Sequence, residues 1–187
     1  MSMAYLTGEE ILDLLKSGLF KVEPFERSSI KPLYVELRLG NRFTTMVSAG
    51  SAFIDPTNPK FSVFEGNILT NQQRYLTMDI EDGSSYTAMP GEFVLATTKE
   101  KITLPNNYMG ILNARASLGR LGLQIFCSGG FVDPGFSNYI TLEIFNVNKV
   151  PIVMKPGMPI AKLSLEKMGR GQPMLMQPLS AFGAEIK

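Results

Sequence analysis

The spacing of apolar residues changes once along this chain, from a helical period to a period of two, and does not change back. Thr7-Gly8-Glu9-Glu10 is a capping box, with Thr7 accepting from the N3 amide and Glu10 reaching back to the N-cap amide. Ile11, Leu12, Leu14 and Leu15 follow as a helical stripe, and Gly18 supplies a left-handed stop. This predicts a short amphipathic helix over residues 7–17. Beyond it, Tyr34-Val35-Glu36-Leu37-Arg38-Leu39 alternates and ends at Gly40-Asn41, a turn pair. Another run ends at Phe53-Ile54-Asp55-Pro56. Pro90-Gly91-Glu92 opens residues 93–98, and Leu104-Pro105-Asn106-Asn107 turns into 108–113. Ile152-Val153-Met154 precedes the tight turn Lys155-Pro156-Gly157-Met158, which leads into 160–165. Short strands at roughly ten-residue spacing, punctuated by Gly, Pro and Asn, predict an all-β sandwich or jelly roll with one short N-terminal helix. One further helical turn, over 117–121, is too little for a βαβ nucleotide fold.

The 187 residues read as a single domain, 1–187, with no internal repeat. Residues 72–85 are polar and end in Gly and Ser, and read as a mobile hairpin or loop. Residues 169–187 carry Gly169, Gly171, Pro173, Pro178 and Gly183, and read as an extended tail, partly disordered or laid over a neighbouring subunit.

Composition narrows the chemistry. There is no histidine and one cysteine, Cys127. Ser/His and Cys/His nucleophile pairs are therefore excluded, as is any zinc site built from His and Cys, that of the zinc deaminases included. Carboxylates, Lys, Arg, Tyr, Ser and backbone remain, with magnesium available through a phosphate ligand. A formal net charge of +1 provides no global field for nucleic acid or anionic lipid, so an anionic ligand must meet a local positive cluster. A lone cysteine points to a reducing compartment. No signal pattern is seen at the N-terminus, and no apolar run approaches the ~20 residues needed to span a bilayer. The expectation is a soluble, cytoplasmic protein without nucleic-acid or membrane partners.

Residues 112–146 hold most of the chemistry. Arg115 and Arg120 lie five apart with Ser117 and Gly119 between them. Forked guanidinium donors, a hydroxyl and the free amides of a helical turn suit an anion, although a solvated turn with two surface arginines fits equally well. Gly129-Gly130 permits close approach of a ligand or another backbone. Asp133 before Pro134-Gly135 is either the first residue of a turn or an acceptor for a sugar hydroxyl. Thr141-Leu142-Glu143-Ile144-Phe145 places one acid inside an apolar strand. If Leu142 and Ile144 share the buried face, Glu143 is either desolvated enough for general acid–base work or simply faces solvent. Cys127 reads as a small buried hydrophobe.

Several of these runs occur together, in a fixed order. Arg115-Ala116-Ser117-Leu118-Gly119-Arg120-Leu121-Gly122-Leu123 is followed by Asp133-Pro134-Gly135-Phe136. Ile140-Thr141-Leu142-Glu143 and Pro156-Gly157-Met158-Pro159-Ile160-Ala161-Lys162-Leu163 come next. With Glu36-Leu37-Arg38-Leu39-Gly40-Asn41-Arg42-Phe43 and Ala52-Phe53-Ile54-Asp55, the chain resembles the dCTP deaminase/dUTP diphosphatase superfamily, on the deaminase side. The resemblance implies a distorted jelly roll, a homotrimer with nucleotide sites between subunits, and a zinc-independent deaminase turning dCTP into dUTP and ammonia. A dUTP diphosphatase, an enzyme doing both reactions, and a binding homologue with weakened catalysis are the alternatives. The resemblance makes Glu143 the general base and Arg120 the group that orients it. It puts Arg115 and Ser117 on the triphosphate, the backbone at Gly129 in the base pocket, and Asp133 on the deoxyribose 3′-hydroxyl. Magnesium would arrive with the triphosphate. The chain departs from the family pattern with Ala116 in place of a serine, with Glu36 in place of an aspartate, and in lacking a Lys-Tyr…Gln lid motif in 169–187.

Overall fold

Strand β3 (Tyr34–Met46) is thirteen residues long and belongs to both layers of the molecule. Its first half pairs with β12 (Pro159–Lys167), Val35 to Leu163 and Glu36 to Lys162. Its second half pairs with β4 (Tyr75–Asp79) and with β6 (Phe93–Thr103). The crossing point is Gly40-Asn41, where the register against β6 shifts between Leu39 and Phe43. A strand that switches layers needs such a bend, and a residue without a side chain permits it. A Cβ on Gly40 would lie 2.9 Å from the Thr97 carbonyl oxygen. The expected turn pair is thus a corner inside one strand.

The computed structural model describes residues 5–46, 75–126 and 128–169. In chain order the other elements are α1 (Gly8–Lys16), β1 (Lys21–Glu23), a 3-10 turn (Arg27–Ser29), β2 (Ile30–Lys31) and β5 (Tyr86–Ala88). After β6 come β7 (Tyr108–Ala114), α2 (Ala116–Gly119), β8 (Leu123–Ile125), β9 (Phe131–Val132), β10 (Ser137–Asn146) and β11 (Ile152–Met154). The main antiparallel sheet runs β8-β10-β6-β3-β12-β7-β9, with β1 on β6 and both β2 and β4 on β3; β5 and β11 form a separate ribbon. Curled through β3, this is the all-β distorted jelly roll with a short N-terminal helix.

The helix forms as its capping box requires. Glu10 N–H donates to Thr7 Oγ1 at 3.3 Å and Thr7 N–H donates to Glu10 Oε2 at 2.8 Å. Those bonds from the Thr7 backbone and hydroxyl hold the Glu10 carboxyl below its ordinary value of 4.5. Gly18 takes φ +73°, as the stop signal predicts. The turn at Lys155–Met158 closes with Met158 N–H donating to Lys155 O at 3.1 Å, and Gly157 has φ +83°.

Two expectations are corrected. β6 continues five residues past the predicted end, to Thr103. Part of the segment read as a mobile hairpin or loop is strand β4, paired antiparallel with β3. Two polar pairs join it to β3: Thr44 and Thr77 share a hydroxyl bond of 2.9 Å, and Arg42 grips Asp79 with bonds of 2.7 and 2.8 Å, while Phe43 stands opposite Met78. Such cross-strand pairs add to the alternation of Leu76, Met78 and Ile80 with Thr77 and Asp79, of which Met78 and Ile80 pack against the core. The run at residues 52–56, Cys127 and the tail beyond Gly169 lie outside the described residues.

Alternate positions of the long strands fill the space between the layers. Leu37, Leu39, Val94, Leu142, Ile144, Ile160, Leu163 and Leu165 are fully buried, each worth about 1.5–3 kcal/mol. Among the described residues one charge is buried with them. Glu100, 2% exposed, accepts from Arg38 Nε at 2.6 Å and from the Arg38 main-chain N–H at 2.8 Å, and Arg38 also pairs with Glu26. Removing one partner of such a pair costs about 3–5 kcal/mol, because the other charge is left buried alone. Asn146, also buried, donates to Ala88 O and Val150 O at 2.9 and 3.0 Å and accepts from Asn148 N–H, tying the ribbon to the end of β10.

Candidate functional site

The segment from β7 to β10 joins distant strands of the main sheet and carries every predicted site residue. β7 ends at Ala114, and Arg115 caps α2, its carbonyl accepting from the Leu118 and Gly119 amides at 2.9 and 3.1 Å. The Arg115 guanidinium meets Glu36 on β3, Nη1 to Oε2 3.0 Å, both side chains part-buried. Ser117 and Arg120 are exposed on the same turn. The chain then reverses at Gly122, φ +82°, where a Cβ would strike Asn148 at 2.9 Å.

β8 pairs along the last residues of β10, Ile125 opposite Ile144. The following residue, Phe126, still donates its N–H to Glu143 O at 2.9 Å, but its φ is +73°. A non-glycine residue rarely takes this conformation. The turn brings Ser128 against the side chain of Glu143. Ser128 N–H donates to Oε2 and Ser128 Oγ donates to Oε1, each at 2.8 Å. Glu143 is half-buried, and its neighbours Leu142 and Ile144 are wholly buried on the opposite face of β10, as the alternation predicts.

The two glycines differ. Gly130 packs on backbone: its carbonyl accepts from Leu112 N–H at 2.6 Å, and a Cβ on it would lie 2.6 Å from Leu112 O. Gly129 has nothing within 4 Å of where a Cβ would stand, so it alone faces open space. β9 then pairs with β7, and Asp133-Pro134-Gly135-Phe136 closes a turn with Phe136 N–H donating to Asp133 O at 3.1 Å. Gly135 has φ +77°, the third-position conformation of a type II turn. Asp133 is the first residue of that turn, and its side chain is exposed.

The description "dCTP deaminase-like" belongs to the family model that matches residues 5–168. The chain belongs to the dCTP deaminase-like family. It is 38% identical over 165 residues to the "dCTP deaminase, dUMP-forming" of Dictyoglomus thermophilum, covering 87% of this chain and 80% of that one. The protein of the same name from Corynebacterium glutamicum strain R is 38% identical over 163 residues, with the same coverage. The "dCTP deaminase" of Alteromonas mediterranea is 35% identical over 164 residues, 86% and 81% of the two chains. Among solved structures, 2′-deoxycytidine 5′-triphosphate deaminase from Agrobacterium tumefaciens superposes with a TM-score of 0.66 at 18% identity. It covers 89% of this chain and 49% of that one, a likeness of fold.

In this member of the dCTP deaminase-like family two clefts, of about 370 and 380 Å³, lie away from the segment just described. The first opens at the β3 corner beside Gly40, Arg42, Asp79 and Lys99. The second is an apolar groove beside α1, lined by Leu12, Leu15 and Phe25. Neither is lined by Arg115, Ser117, Arg120, Gly129, Asp133 or Glu143. Chemistry weighs against the first, since Arg42 already donates from Nε and Nη2 to Asp79, which draws the Asp79 carboxyl below its ordinary 3.8. Two contacts escaped the sequence reading. Ser128 was visible only as a neighbour of Gly129, and Glu36 only as a departure from a family motif. Each meets its partner through tertiary structure, fifteen residues away for Ser128 and in another strand for Glu36.

Proposed function

We propose that this protein deaminates dCTP and carries the product on to dUMP. Family membership and the names of the relatives in Dictyoglomus thermophilum and Corynebacterium glutamicum support this reading. Those names favour dUMP over the dUTP that the sequence reading put first, and bring forward the enzyme that does both reactions. The observation that carries the proposal is the Glu143 carboxylate, half-buried in an apolar strand and held at both oxygens by Ser128.

Glu143 takes a proton from a water as that water's oxygen bonds to C4 of cytosine. The proton then passes to the exocyclic nitrogen, the C4–N bond breaks, and ammonia leaves; dCTP and water give dUTP and ammonia. With no histidine in the chain, a carboxylate fills this role. Arg120 orients Glu143, and the open backbone at Gly129 receives the base. Arg115 and Ser117 hold the triphosphate, and Asp133 takes the 3′-hydroxyl. In the second step Asp133 directs a water to the α-phosphorus, releasing pyrophosphate and dUMP. Magnesium would come on the phosphate oxygens of the nucleotide that Arg115 and Ser117 hold. Bound there, it would supply charge neutralisation for the leaving pyrophosphate. The exposure of Ser117, Arg120, Gly129 and Asp133 on one chain suits a site closed by a second subunit of a homotrimer.

The test is the purified chain with dCTP, ammonia and pyrophosphate being read separately. Both products are expected in equal amounts. Glu143→Gln lowers ammonia release by about 10²–10⁴-fold with dCTP binding retained. Asp133→Asn depresses pyrophosphate release more than ammonia release. Near-normal ammonia from Glu143→Gln overturns the mechanism, and ammonia without pyrophosphate removes the second step.

A further inference from the structure

Resting on the deaminase reading above, we propose that Ser128 is a positioning residue for Glu143 and that its hydroxyl selects Oε1 as the oxygen that carries the transferred proton. The two bonds are not equivalent. The Ser128 main-chain N–H on Oε2 only donates, while the hydroxyl on Oε1 both donates and accepts. A protonated Oε2 is a poor acceptor and would waste the amide. A protonated Oε1 can donate to Ser128 Oγ after the hydroxyl turns over, and that contact survives in both protonation states.

Ser128 does not hold this place by itself. On one side, Phe126 is tied to Glu143 by its main-chain N–H at 2.9 Å and turns through φ +73°. On the other, Gly130 is tied to Leu112 at 2.6 Å. The loop is therefore anchored to β10 and to β7, and it stays open where Gly129 lacks a side chain. Removing the hydroxyl leaves the amide bond and both anchors in place, so the loss falls on orientation.

Ser128→Ala and Ser128→Thr, each with and without Glu143→Gln, test this in the full chain with dCTP. Ser128→Ala is expected to lower kcat for ammonia release about tenfold while KM stays within about twofold. Thr, which keeps a hydroxyl, returns kcat to within about threefold of the parent. In the Glu143→Gln background Ser128→Ala costs nothing further, because the group it serves has gone. An unchanged or raised kcat in Ser128→Ala, a loss that Thr does not recover, or an equal loss in the Glu143→Gln background overturns the proposal. A second readout separates it from the deaminase reading: the 13C carboxyl resonance of Glu143, identified by its absence from Glu143→Gln. It is expected to move in Ser128→Ala and to stay near the parent position in Ser128→Thr. A resonance that ignores Ser128→Ala defeats the proposal outright. If the parent releases no ammonia yet the resonance moves, the deaminase reading falls and the grip of Ser128 on Glu143 stands.

Discussion

Ala116 sits exposed at the start of α2, directly after the arginine that reaches Glu36. A hydroxyl there has room and disturbs no packing. Ala116→Ser is expected to leave the melting temperature unchanged and to raise ammonia turnover by up to about tenfold, a gain near 1.4 kcal/mol; steady-state rates on dCTP check it. Glu143 shows how far single residues could be read. Alternation with Leu142 and Ile144 was enough to put it on the opposite face of its strand, because a period of two is a local property. Its contact with Ser128 was not legible, since it depends on one residue, Phe126, turning through a conformation that side chains disfavour. Asp133 was legible as a turn residue through Pro134-Gly135.

Among the elements, α1 and the turns follow from short-range signals that the structure repeats, while β3 and β4 do not. Gly40-Asn41 has the composition of a turn, yet β6 packs so closely at Gly40 that only a residue without Cβ fits. Gly40→Ala sets its methyl 2.9 Å from both the Thr97 carbonyl and hydroxyl oxygens and forces backbone to move. A loss of about 1–3 kcal/mol is expected, read from the denaturant midpoint. The capping box carries a pH signature. Glu10 is held below 4.5 in the folded chain, so its contribution is complete above that value and is lost as pH falls through the lower folded value. Thr7→Ala should destabilise the protein at neutral pH, and the gap from the parent should narrow as pH drops from about 6 to about 3 in paired thermal melts.

For the molecule as a whole, a period of two with regular punctuation foretold two β layers, and the family motifs foretold which. Strand order was out of reach, because it depends on pairings such as Glu36 with Lys162, far apart in sequence. A homotrimer predicts a light-scattering mass three times the 20.6 kDa of one chain at micromolar concentration. A single-chain mass would remove the shared site.

The path of the main sheet ends in β8 and β9, strands of three and two residues, and both come from the segment that carries the candidate site. Stubby margins are poor templates for a foreign strand, whereas β7 and β10 are seven and ten residues long. The same loop thereby guards the protein against clumping. Changes that unpin residues 122–132 would bare those longer strands, and their first symptom would be turbidity in a heated sample.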